Sequence, residues 1–278
     1  MASALPVDDV VASEPRRGAQ RWLGLIPAVL LLAVAGWELV ATRRAATSVP
    51  DDVAWARASQ IVRASYQPGD LIVFAPRWID PVGRLHLGDL IPLEVAGRMD
   101  AARYGRIWEL SIRGARAPET VGLVAVSTAD ADGVIVRHFQ RAPATVVADV
   151  RERVRTAVSE HATPRVELTE VDYEPHRCIL FVPRPGQPAR MTFPRLPLGT
   201  ELVGYVGIAD ATTRRDDRSS VQLAVEIAGK QVATTTAGVE DGWVRFAVPT
   251  VPGAADVTFV ASAPRPGRQL CFAAETRR

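Results

Sequence analysis

The sequence predicts an α+β protein in which a single transmembrane helix precedes a small α/β domain and a C-terminal antiparallel β-sandwich. Three observations predict this class: an apolar run near the N-terminus, mixed helix and strand patterns after it, and only short strand patterns beyond residue 164. At roughly 150 residues per domain, 278 residues correspond to about two domains. The 47% hydrophobic fraction excludes a mainly disordered chain, and a net charge of +2 gives no reason to expect a nucleic-acid partner.

The apolar run covers residues 22–42 and carries one charge, Glu38. About 20 apolar residues in a helix cross the hydrocarbon core, and Trp22 and Trp37 lie near the ends of the run, where indole rings favour the headgroups. The sequence therefore predicts a cytoplasmic tail over 1–21, a bilayer anchor over 22–42 and a linker over 43–50. The arginines on each side are Arg16, Arg17 and Arg21 before the run and Arg43 and Arg44 after it.

A cleaved signal peptide is the alternative interpretation of the same run. Its cleavage would fall near Ala35, in the small-x-small sequence of residues 33–35. Both interpretations place residues 45–278 outside the cytoplasm, either on a single-pass membrane protein or as a secreted or periplasmic chain. An oxidising compartment would let Cys178 and Cys271 pair, and two buried free thiols are the other possibility.

The predicted α/β domain covers residues 51–143. Pro50 with Asp51 and Asp52 is typical of a helix start, because acids favour the positive end of the helix dipole. The helix should end near Tyr66, before a Pro-Gly-Asp turn. The later elements are a strand at 71–75, a loop from Pro76 to Pro92, a short helix at 94–103, and strands at 106–113, 121–127 and 133–140.

The predicted sandwich covers residues 144–278. Residues 144–160 fit either a helix or two extended pieces, and valine density favours the extended interpretation. After residue 164, strand patterns and turn residues alternate every 8–12 residues or so, which is typical of a β-sandwich. The predicted strands are 165–171, 178–182, 189–193, 201–208, 220–228, 230–236, 243–248, 255–261 and 269–274.

Two stretches resemble known families. The sequence PGDLIVFAPRW, followed by RIWELSI, resembles the soluble outer region of mannosyltransferase-like membrane glycosyltransferases that use polyprenyl-phosphate sugars. The stretch from HRCILFVPRPG to ADVTFVASA resembles a galactose-binding-like jelly-roll module. Those glycosyltransferases have many spans and a catalytic acidic pair in an early outer loop. This chain has one span, so we interpret Asp51 and Asp52 as a helix start.

No ordinary catalytic motif is visible in the sequence. It contains no G-x-S-x-G elbow, no phosphate-binding glycine loop and no H-x-x-x-H pair. Two distant cysteines do not form a zinc motif. We therefore predict no catalytic residues, no metal and no cofactor.

Two clusters and one tryptophan are candidate ligand contacts. The segment after the first strand places an indole beside charged groups at the carboxyl end of a strand, where ligands bind in open α/β sheets. The charged loop after residue 209 is of the kind that forms binding edges on sandwiches. The candidates are Arg77, Trp78, Asp80, Arg84, His86 and Asp89; Asp210, Arg214, Arg215, Asp216 and Asp217; and Trp243, for which a core position is favoured and ligand contact is the alternative.

The sequence thus favours a non-catalytic, membrane-anchored envelope protein that binds a glycan or an envelope partner, or assists envelope glycosylation. A glycosyltransferase subunit that needs a multi-span catalytic partner is one alternative. A purely structural interaction protein is another.

Overall fold

Helix α1 spans Ile26–Thr47 in the computed structural model, which describes residues 26–47, 49–209 and 219–278. Residues Ile26–Arg44 are long and apolar enough to cross a membrane, with a mean hydropathy of 1.5. A signal sequence would meet the same criteria, so both interpretations of the apolar run stay open. The chain forms two units, Met1–Val49 and Pro50–Arg278. A boundary at 143/144 within the second unit stays a prediction.

Helix α2 spans Asp52–Ser65 and begins where the sequence predicts. The Asp51 carboxylate accepts a hydrogen bond from the Ala54 amide at 2.9 Å and so caps the helix. Trp55, Ala58 and Val62 recur at helical spacing and are buried. The helix-start interpretation of Asp51 is therefore confirmed.

Four strands form the sheet that α2 covers. They are β1 (Leu71–Ala75), β2 (Arg106–Ser111), β3 (Ala125–Ala131) and β4 (Val134–Gln140), in the order β1-β2-β4-β3. Strands β1 and β2 are parallel, and the other pairs are antiparallel. Separate apolar clusters pack against the two faces of this sheet. Because both faces are covered, every residue of β1 is buried.

Asp70 ties the start of β1 to β2. Its carboxylate accepts hydrogen bonds from the Trp108 indole and from the Arg106 guanidinium, both at 2.8 Å. It also accepts one from the Gln67 amide at 3.1 Å, which closes the turn before β1. The two motifs that resemble the glycosyltransferase region, the Pro-Gly-Asp turn and the Arg-x-Trp strand, therefore contact each other through Asp70. These contacts stabilise the sheet.

Residues 76–92, predicted as a loop, contain helix α3 (Asp80–Leu87) and two 3₁₀ turns, Arg77–Ile79 and Gly88–Leu90. The loop prediction was wrong because tertiary packing overrides the low helix propensity of glycine here. A Cβ on Gly83 would lie 2.0 Å from the Phe74 ring, so glycine lets α3 pack directly on β1. The next helix, α4 (Leu93–Ala96), is shorter than the predicted helix at 94–103.

Two antiparallel sheets form the sandwich, as predicted. Their strands are β5 (Val146–Asp149), β6 (Val158–Glu160), β7 (Arg165–Val171), β8 (Glu174–Phe181), β9 (Ala189–Leu198), β10 (Glu201–Ile208), β11 (Val221–Ile227), β12 (Lys230–Ala237), β13 (Val244–Pro249), β14 (Gly253–Ser262) and β15 (Leu270–Arg277). The six-stranded sheet has the order β13-β10-β15-β8-β7 with β5 paired to β15, and the five-stranded sheet has the order β12-β11-β14-β9-β6.

The segment 144–160 is extended at both ends, which confirms the favoured interpretation. Strand β5 joins the six-stranded sheet and β6 joins the five-stranded sheet, with a 3₁₀ turn at Val150–Thr156 between them. Between the sheets, alternate residues of the strands pack into one apolar core. At its centre the Phe259 ring lies 4.8 Å from that of Phe272 and 5.8 Å from that of Phe193, measured between centroids.

The outer face of the six-stranded sheet carries a disulfide between Cys178 of β8 and Cys271 of β15. The Sγ atoms are 2.01 Å apart. The half-cystines pack with Val171, Leu180 and Ala209 in a separate buried cluster. The disulfide therefore links two neighbouring strands, β8 and β15, on the outer face of the sheet.

Buried ion pairs join the α/β layer to this outer face. The Arg277 guanidinium donates to both Asp100 oxygens, at 2.9 and 3.0 Å, and also to Glu275. Arg103 donates to Glu275 from the other side. Removing one partner of such a network would leave a buried charge uncompensated, so the network favours the observed packing of the two layers.

Candidate functional site

The carboxyl ends of β1 and β2 place a tryptophan and an arginine at the same edge. The 3₁₀ turn after β1 buries Ile79 and leaves Trp78 61% exposed. Arg113 follows β2, and its guanidinium carbon lies 5.9 Å from the centroid of the Trp78 ring. This is within cation–π range, so the arginine holds the indole at the surface.

Arg77 connects this edge to the sandwich. Its Nε lies 2.8 Å from Oε1 of Glu174, the first residue of β8. Tyr173, just before Glu174, occupies the tight β7–β8 turn with a φ of 65° and is 75% exposed. We call this set of residues (Arg77, Trp78, Arg113, Tyr173 and Glu174) the junction surface.

Electrostatics at the junction surface are set by partial burial. Burial raises the pKa of Glu174, while the positive charges of Arg77 and Arg98 act in the opposite direction. The carboxylate thus contacts Arg77 at a site where water only partly solvates it. Such a pair presents hydrogen-bond donors and acceptors in a fixed arrangement.

A stack of aromatic rings lies close to Glu174. The His176 and Trp243 rings stack with centroids 4.4 Å apart, and Trp243 stacks with Tyr205 at 5.9 Å. The Trp243 indole donates to the Met99 carbonyl at 3.0 Å. Trp243 therefore packs between the layers; the prediction that it contacts a ligand is untested.

His176 is the ionisable member of this stack. Its Nδ1 lies 3.3 Å from the Arg98 carbonyl, and its Nε2 has no hydrogen-bond partner among the described residues. Burial lowers the pKa of His176 to about 4, an effect that the contact with the Arg98 carbonyl opposes. The imidazole is therefore neutral at pH 7.

The other candidates of the first cluster stabilise helices. Arg84 Nε donates to Asp80 at 2.5 Å within α3. Asp89 accepts two hydrogen bonds from Arg63 of α2, and these lower the pKa of its carboxyl. His86 Nε2 lies 3.1 Å from a carboxylate oxygen of α2 but lacks hydrogen-bond geometry. Only Arg77 and Trp78 of this cluster belong to the junction surface.

Residues 210–218 lie outside the described residues, and they contain the second predicted cluster. Its members are Asp210, Arg214, Arg215, Asp216 and Asp217. Among the described residues, no group of three or more His, Cys, Asp or Glu side chains is arranged to hold a metal ion.

Glu109 of β2 is a fully buried acid with a structural role. It accepts hydrogen bonds from the Arg137 guanidinium at 2.7 Å, from the Ala117 amide at 2.9 Å and from the Thr120 hydroxyl. Its oxygens are thus occupied, as expected of a buried carboxylate that stabilises the sheet.

Arg113, Tyr173 and Glu174 are not among the residues predicted from the sequence. Tyr173 lies between the strands predicted at 165–171 and 178–182, and an aromatic residue in such a connecting segment is the one sign of exposure in the sequence. Glu174 offered no such signal, because it meets Arg77 only through the packing of the two layers.

No family model and no curated protein matches the chain. Solved structures similar to this chain include carbohydrate-binding modules. One from Clostridium perfringens, in complex with GlcNAc, is 15% identical with a TM-score of 0.36 and covers 53% of this chain and 35% of that chain.

Two further structures have comparable similarity. A module from Clostridium perfringens in complex with methyl-galactose is 12% identical over 46% of this chain and 99% of that chain, with a TM-score of 0.35. A module from Cellvibrio mixtus in complex with cellotriose is 14% identical over 48% and 98%, with a TM-score of 0.33. The comparisons give no support to the glycosyltransferase resemblance.

Proposed function

We propose that this chain is a non-catalytic, membrane-anchored envelope protein that binds a glycan at the junction surface. The observation that carries the proposal is the position of Trp78 and Tyr173. They are the two exposed aromatic residues among the described residues of the unit Pro50–Arg278, and the segments that carry them are joined by the Arg77–Glu174 ion pair.

Aromatic rings and charged groups together suit a sugar. The apolar face of a pyranose stacks on an exposed indole or phenol ring, and its hydroxyls accept hydrogen bonds from arginine and donate them to carboxylate groups. Arg77, Arg113 and Glu174 supply those groups beside the rings. The buried ion pairs between the layers keep the two halves of the surface in register.

Two features support the envelope location. Residues Ile26–Arg44 are suited to anchor the chain in a bilayer. The Cys178–Cys271 disulfide fits an oxidising compartment outside the cytoplasm.

A glycan array probed with the full chain in detergent tests the proposal. The panel includes galactosides, GlcNAc and cello-oligosaccharides, the ligand types present in the similar structures. We expect binding that Trp78→Ala and Tyr173→Ala each weaken and that Val251→Ala, an exposed site on the β13–β14 turn, leaves unchanged. Absence of binding across the panel, or full binding by Trp78→Ala, would overturn the proposal.

A further inference from the structure

Helix α3 presents apolar side chains to solvent on one side. Val82 and Leu85, three residues apart, are 39% and 82% exposed. Helical spacing places them on one face, with Trp78 four residues before Val82. Leu85 is among the most exposed large hydrophobic residues described. Exposure of such a side chain to water does not stabilise a folded protein.

Helix α2 adds a third apolar side chain beside them. Val53, in its first turn, is 54% exposed. Its neighbour Asp52 lies 3.1 Å from His86, the neighbour of Leu85, so the start of α2 and the end of α3 are adjacent. We call Val53, Val82 and Leu85 the apolar patch.

The chain length limits how far this patch can be from the anchor. Helix α1 ends at Thr47 and the second unit begins at Pro50. Three residues span at most about 11 Å, and Val53 follows three residues later. If α1 crosses a bilayer, the start of α2 stays close to the membrane surface.

We propose that the apolar patch rests on the lipid surface and orients the second unit against the bilayer. The occupant is lipid, because the short tether keeps the start of α2 within reach of the headgroup boundary. Apolar side chains of interfacial helices insert there. The proposal rests on the anchoring half of the proposed function and not on glycan binding.

A fluorescent probe on the full chain tests this orientation. The native cysteines are paired, so Leu85→Cys supplies one thiol for an environment-sensitive dye. The labelled chain is reconstituted into vesicles of phosphatidylcholine and phosphatidylglycerol that carry a headgroup-level quencher. We expect blue-shifted, quenched emission from position 85.

Val124→Cys is the matched control. Val124 is equally apolar and 86% exposed, but it lies just before β3, whereas Pro50 packs near Gly133 at the other end of that strand. Seven residues of strand separate the two ends by roughly 20 Å. Equal quenching at positions 85 and 124, or none at 85, would overturn the proposal.

A charge substitution provides the second measurement. Leu85→Glu should reduce the partitioning of the patch onto vesicles by about tenfold or more, since burial of one leucine side chain is worth that much. The readout is loss of quenching at a dye on Val82→Cys, and unchanged quenching would count against the proposal.

Carbonate extraction reports on the anchor separately. Extraction of the chain would overturn the anchor and, with it, the tether on which the proposal rests. Retention in the membrane without quenching would overturn the patch and leave the anchor. Glycan binding is scored independently on the array.

Discussion

Mild acid should destabilise the fold through His176. The pKa of this buried histidine is about 4 in the folded protein, against 6.5 for an unperturbed histidine. Between those values the unfolded chain binds a proton that the folded chain does not. The free energy of unfolding therefore falls as the pH is lowered through this window, by about 2.5 kcal/mol between pH 7 and pH 4.5.

Urea unfolding at pH 7 and pH 4.5, followed by circular dichroism, measures this effect. Other groups also titrate: Glu174, with its raised pKa, acts in the opposite direction, and His138, with a pKa lowered by burial, acts in the same direction. We therefore compare the protein with His176→Phe, which keeps a flat ring beside Trp243. Most of the 2.5 kcal/mol should be absent from the variant, and parallel pH dependences would refute the reasoning.

Three further predictions concern residues already described. Replacing Cys178 and Cys271 by alanine should lower the free energy of unfolding by about 4–5 kcal/mol, because the bridge closes a loop with a sequence separation of 93; chemical denaturation measures it. Asp70→Ala should cost about 2–4 kcal/mol in the same assay by orphaning the buried Trp108 indole N–H and an arginine, and a neutral result would contradict the assigned role. Trp78→Ala should leave the melting temperature unchanged while it weakens glycan binding, and a large drop in melting temperature would show that the indole is structural.

Local chemistry accounts for the elements that the sequence predicted well. The acidic start of α2, the apolar run of β1 and the alternation after residue 164 each report a local preference that the fold preserves. Helix α3 was missed because its stability is not local. Gly83 weakens the helix pattern, and the packing of Phe74 against that glycine becomes visible only in three dimensions.

The junction surface was half predictable. Trp78 and Arg77 follow a buried strand, and the sequence pointed to them. Glu174 is 97 positions away from Arg77 along the chain, and nothing in either segment indicates that the two meet. The pairing depends on how the α/β layer packs on the six-stranded sheet, and long-range ion pairs settle that packing.

The position of β15 has a consequence for biogenesis. This strand follows every other strand in the chain, yet it hydrogen-bonds to β5, β8 and β10 and carries Cys271. The six-stranded sheet therefore cannot close before β15 has been synthesised, and until then β8 and β10 each keep an unpaired edge. Residues 270–277 must therefore pair before the sandwich becomes resistant to proteases, and until then the unpaired edges expose the chain to chaperones and proteases.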